Sequence, residues 1–221
     1  MILLGLHYRV LDNKDWATLL FVLGLFLIVV SKTVFENRFN DFVRLFVSDK
    51  YLKIYKEKSH LISGFTIILF LVNLVAFSFL ILLLFHVKYK IPKTDWVVFI
   101  QIFTFLFIFT LSKFLIEKII SVLFGLEELV DQINLQKVSY RTYVGMILFP
   151  FCVALFYMPT VSVNVIYAVT AAIIGVNLII YFIFIKKYQN FIFSKIVYFI
   201  LYLCALEIAP YYFIYYLITK K

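Results

Sequence analysis

The sequence predicts an all-α polytopic transmembrane bundle. Three observations carry that prediction: an excess of apolar residues, their concentration in six long runs, and the placement of charge between those runs. Of the 221 residues, 65% are hydrophobic and 15% charged, against about 45–50% and about 25% in a soluble domain. A chain this short has too much surface for its volume to hide such an excess inside a globule. The apolar side chains are therefore expected to face lipid.

A helix needs about 20 apolar residues to cross a hydrocarbon core of about 30 Å, and six segments qualify: 16–34, 61–87, 96–115, 143–159, 163–185 and 191–218. The first follows Asp15 and is expected to drive insertion itself, because the opening Met1-Ile2-Leu3-Leu4-Gly5-Leu6 is too short for a signal-peptide core. Beyond it, Phe35, Phe39, Phe42 and Phe46 recur at helical spacing with Arg38 and Arg44 off that face. This pattern predicts a short helix, either flat on the inner leaflet or packed against the end of the bundle. The second and third spans are long and nearly free of charge. After the third, Leu126, Leu129, Val130 and Ile133 follow Gly125 with the same spacing and predict a second interfacial helix. The fourth span is the weakest, since Pro150 interrupts it and Pro159 ends it. Residues 158–162 allow only a tight turn, so the fourth and fifth spans should form a hairpin. Phe191 opens the sixth.

Lys and Arg collect on the cytoplasmic side of membrane proteins. Fourteen of the 21 here lie in or beside the first, third and fifth connections, which makes that side cytoplasmic and places both termini outside. Trp16 and Trp96 then join Tyr211, Tyr212, Tyr215 and Tyr216 in an outer aromatic belt. The net charge of +9 is spread between apolar runs, which suits lipid headgroups. No free basic face with stacking aromatics is present, so nucleic acid is not an expected partner.

The chain also echoes itself. Ser31-Lys32 with Glu36 recurs 81 positions later as Ser112-Lys113 with Glu117, Gly64 recurs as Gly145, and Asp15-Trp16 has a counterpart in Asp95-Trp96. The spacing suggests a parallel internal repeat, spans one and two against spans three and four.

Few residues could carry chemistry. Glu207 lies mid-way along the sixth span, where an acid costs about 2.5–3.5 kcal/mol, and Pro210 frees the carbonyl of Leu206 beside it. Asn73, Gln101, Thr104 and Thr170 fall within about one turn of the same depth. They define a candidate mid-membrane polar site, with interhelical packing as the other reading. Lys113 and Glu117 are spaced to pair on one helix, as are Lys32 and Glu36. Arg141, in Ser139-Tyr140-Arg141, could hold a lipid phosphate or simply anchor the helix end. His60 and His86 lie about 39 Å apart along the second span, and His7 with His86 lacks a third ligand, so no metal and no cofactor is expected. Cys152 and Cys204 sit within apolar runs and read as small buried hydrophobes. No zincin, nucleophile-elbow, P-loop or dinucleotide motif occurs.

Asp15-Trp16-Ala17-Thr18-Leu19-Leu20, the 113–117 stretch, Ser139-Tyr140-Arg141 and Leu201-Tyr202-Leu203-Cys204-Ala205-Leu206-Glu207-Ile208-Ala209-Pro210 together resemble a family of small polytopic membrane proteins of Bacteroidota that carries a domain of unknown function. The resemblance covers essentially the whole chain and implies a bacterial inner-membrane protein, with no catalytic residue attached. In helix pattern alone the chain is also similar to the Yip1 group of small multi-helix membrane proteins. The function expected is a non-enzymatic scaffold or accessory subunit of an envelope complex, in contact with lipid and a protein partner. The alternative is a small transporter or lipid-handling protein acting through Glu207.

Overall fold

A computed structural model describes residues 14–45, 51, 54, 63–123, 125, 127–159 and 162–194. Six helices occupy them: α1 Asp15–Val34, α2 Glu36–Val43, α3 Gly64–Tyr89, α4 Trp96–Leu123, α5 Glu127–Tyr157 and α6 Val163–Ser194. No strand occurs among the described residues. All but α2 are long and apolar enough to cross a membrane, through Val130–Tyr157 in α5 and Val163–Phe182 in α6.

Helix α3 is the axis of the bundle. It packs against α1, α4, α5 and α6, and it buries residues on almost every side, from Phe65 and Leu69 to Leu82 and Leu83. An all-round apolar helix is what a central position requires. Ser63 starts it, its Oγ accepting from the Thr66 N–H at 3.4 Å, as an N-cap does. Lys90 ends it in the left-handed conformation, with Pro92 preventing continuation.

Aromatic side chains weld the end of the bundle where α1 starts. The Phe79 ring lies 4.2 Å from that of Phe21, 4.6 Å from Phe99 and 5.5 Å from Phe156. Trp16 stacks on Phe79 and donates Nε1–H to the Thr94 carbonyl at 3.1 Å, which ties α1 to the turn before α4. Trp96, its partner in the sequence echo, is exposed. The echo divides elsewhere too: Ser31 is buried and Ser112 exposed, while Glu36 opens α2 after a break at Phe35 and Glu117 sits inside unbroken α4.

Three expectations need correction. The segment expected to form a second interfacial helix is continuous with the fourth span, because α5 runs unbroken from Glu127. Arg38, expected off the apolar face of α2, is 8% exposed and buried with Phe39 and Phe42. The break expected at residues 186–190 does not occur there, since α6 continues to Ser194. The rest of the sixth span lies outside the described residues, and with it Glu207, Pro210, Cys204 and the tyrosines at 211–216. Elsewhere agreement is close: the fourth and fifth spans follow one another across residues 158–162 and pack together.

Candidate functional site

Polar side chains gather at the opposite end of the bundle, where α4 ends and α5 begins. The two helices run antiparallel, and polar pairs mark their register. Lys118 Nζ reaches both carboxylate oxygens of Asp131 at 3.0 Å. Lys137 Nζ lies 4.0 Å from Glu117 Oε1, and Arg141 Nη2 donates to Thr110 Oγ1 at 3.1 Å. Glu117 is only 4% exposed, so Lys137 is the countercharge of a carboxylate held out of water. Buried beside this seam are Asn134, Gln136, Ser139 and Thr142 of α5.

Asn73 connects this layer to α3. Its amide Nδ2 donates to the carbonyl of Arg141 at 2.8 Å, one turn before Gly145 on α5. The approach depends on Gly145, since a Cβ there would overlap Asn73 Nδ2. The Arg141 guanidinium lies 5.9 Å from the Phe70 ring, so its cation rests on an aromatic face within the bundle.

A second knot joins α2 to the start of α3. Arg38 donates through Nη1 to Ser63 Oγ at 2.6 Å, through Nη2 to Thr66 Oγ1 at 3.3 Å and through Nε to the Tyr51 hydroxyl at 3.3 Å. Its guanidinium also stacks over Phe65 at 4.8 Å. The rigid fork of Arg suits this many-sided role.

The sequence-predicted site residues fall into three groups. Asn73, Arg141 and Glu117 belong to the polar layer. Lys113 is half-buried on the same side of α4. Gln101 and Thr104 lie on the exposed face of α4, away from Asn73. Thr170 is half-buried on α6 and bonds within its own helix, Oγ1 donating to the Ile166 carbonyl at 2.8 Å. Sequence reasoning missed Arg38, Asn134 and Gln136. A signal for Asn134 was present: Asp131, Asn134, Lys137 and Arg141 recur every three or four residues, a polar stripe that could face another helix.

Residues 17–218 match the profile of a domain of unknown function, DUF4271. The chain belongs to the DUF4271 family. No curated protein and no solved structure matches it. For this DUF4271 chain, function is therefore argued from geometry. An apolar groove of about 320 Å³ between α5 and α6 is lined by Val144, Ile147, Leu148, Phe151, Val169, Ala172, Ile173 and Val176. No polar side chain lines it. Among the described residues, no three His, Cys, Asp or Glu converge as metal ligands would.

Proposed function

We propose that this DUF4271 protein is a non-enzymatic component of a bacterial inner membrane, a scaffold or accessory subunit of an envelope assembly, with both termini outside. One observation carries the reading: three polar contacts within the described bundle join helix to helix. Asn73 is directed at an α5 carbonyl, Arg141 at Thr110 and Lys137 at Glu117, which is how polar residues serve packing in membranes. The groove between α5 and α6 is apolar throughout, and bilayer acyl chains are its natural occupants. Helices α1, α4 and α6 turn long apolar faces outward, through Leu19, Val22 and Phe26, through Ile108 and Leu115, and through Leu178 and Phe182. In this reading α2, with Phe39 and Phe42 against the bundle, rests at the cytoplasmic interface.

The test is purification of the full chain from native membranes in a mild detergent. Retention of a stoichiometric protein partner, or of a second copy, supports the assembly role. A lone monomer whose Glu207→Gln variant also fails to complement a deletion would overturn it and favour the transporter alternative.

A further inference from the structure

Several polar side chains of the layer between α4 and α5 have their partners. Lys118 holds Asp131, while Ser121 and Ser139 donate to the carbonyls of Lys118 and Leu135 on their own helices, each at 2.7 Å. Two buried atoms stand apart. Glu117 Oε1 and Asn134 Nδ2 are sealed inside the protein, and neither has a hydrogen-bond partner among the described residues. Lys137 Nζ, at 4.0 Å from Glu117 Oε1, supplies charge from beyond hydrogen-bonding distance.

These two atoms occupy one place in the fold. Thr110 of α4 meets Arg141 of α5. Glu117 lies seven residues after Thr110, and Asn134 seven residues before Arg141. Seven residues make about two turns and about 10.5 Å along either axis, and since α4 and α5 run antiparallel, both steps lead the same way. Glu117 and Asn134 therefore stand at the same depth on facing stripes, with Lys137 one turn from Asn134. A carboxylate oxygen in need of a donor faces an amide nitrogen in need of an acceptor.

Buried polar atoms left in that condition are costly, most of all beside a charge, and in folded proteins an internal water or ion commonly completes them. The donors and acceptors select between the two. A metal cation would suit the carboxylate, but it accepts nothing from an N–H, and Lys137 already brings positive charge to the same oxygen. An anion could accept from Asn134 but has no proton for Glu117. Water does both. Were the Asn134 amide turned the other way, its oxygen and the carboxylate oxygen would each need a donor, and water carries two.

We infer that the seam between α4 and α5 is a binding site for an internal water molecule, which donates to Glu117 Oε1 and accepts from Asn134 Nδ2. The water solvates a carboxylate inside a helix long and apolar enough to span a membrane. Lys137, whose side chain is 25% exposed, borders both the site and the outside and gives the water a route of exchange. The site goes beyond the assembly reading and does not depend on it.

The experiment is water-edited solid-state NMR on the isotope-labelled full chain in lipid bilayers, which times the arrival of water magnetisation at each side chain. Asn73 is the internal control, since it is 2% exposed like Asn134 but its Nδ2 donates to a protein carbonyl at 2.8 Å. Water magnetisation should reach the Asn134 side-chain amide and the Glu117 carboxyl carbon several-fold sooner than the Asn73 side-chain amide. Asn134→Leu removes one of the two anchors and should slow the transfer to Glu117 several-fold. Equally slow transfer to Asn134 and Asn73 would overturn the site, as would a direct hydrogen bond between Asn134 and Glu117. Unchanged fast transfer to Glu117 in Asn134→Leu would also overturn it, by tracing that signal to the Lys137 ammonium. The wild-type comparison of Asn134 with Asn73 decides the matter alone if the variant does not fold.

Discussion

Asn73 and Gly145 occupy one space between them, and that makes the pair a sensitive probe of how α3 meets α5. Gly145→Ala pushes a methyl group into the Asn73 amide, and overpacking of this kind costs about 1–3 kcal/mol. Asn73→Ala removes an interhelical hydrogen bond worth about 0.6 kcal/mol on average in membranes and clears part of the same space. The double variant is therefore expected to lose less than the two single losses combined. Reversible unfolding in mixed micelles gives the four stabilities, and strict additivity would show that the positions act independently. Glu117 gives a second residue-scale prediction. Lys137→Met strands a buried carboxylate, and breaking a buried pair from one side costs about 3–5 kcal/mol. Glu117→Gln leaves a lysine whose side chain is 25% exposed and can turn to water. Lys137→Met should thus be the more destabilising, and Glu117→Gln/Lys137→Met should recover most of its loss in the same assay. The sequence marks Asn73 and Glu117 as unusual because polar groups in apolar runs stand out. Their partners on other helices are harder to read: spacing along α4 suggests Lys113 for Glu117, but Lys137 approaches it from α5, and no local rule reports the register of two helices.

Helix ends follow a different logic from helix cores. The five apolar helices are legible because hydrocarbon demands unbroken runs, but α4 and α5 both continue past those runs. The spacing of Leu126, Leu129, Val130 and Ile133 made the start of α5 look like an interfacial segment, interleaved as they are with Asp131, Asn134, Gln136 and Lys137. These polar residues are tolerated in a helix because α4 continues beside them, with Lys118 against Asp131 and Glu117 against Lys137. Arg38 was misplaced for a related reason, since its side is decided by Ser63, Thr66 and Tyr51, which lie far from it along the chain. Gly125 joins α4 to α5 with φ +62° and no heavy atom near where a Cβ would stand. Its glycine is required by the backbone alone. Gly125→Ala should cost about 1–2 kcal/mol, the left-handed penalty for an L-residue, and Gly125→Asn less, since Asn tolerates that region. Thermal unfolding of the two variants checks the order; equal stability of Ala and Asn would mean that the turn relaxes.

At the scale of the whole molecule, the ends of the bundle differ in chemistry. One is closed by Trp16, Phe21, Phe79, Phe99 and Phe156, the other by Arg38, Lys118, Lys137 and Arg141 with their partners. In the proposed orientation, which follows the positive-inside bias, the arginine end faces the cytoplasm, where the anionic inner leaflet attracts cations. The turn between α3 and α4 and the turn between α5 and α6 belong to the aromatic end, while Gly125 belongs to the other. Single cysteines at Lys90 and Ser162 should therefore react with a membrane-impermeant maleimide in spheroplasts, and a cysteine at Gly125 only after lysis. The prediction is sharp because α3, α4, α5 and α6 alternate in direction, so one inverted label cannot be absorbed by moving one helix. Labelling of Gly125→Cys in sealed spheroplasts, with protection of Lys90→Cys and Ser162→Cys, would invert the topology of every described span and place the polar layer outside.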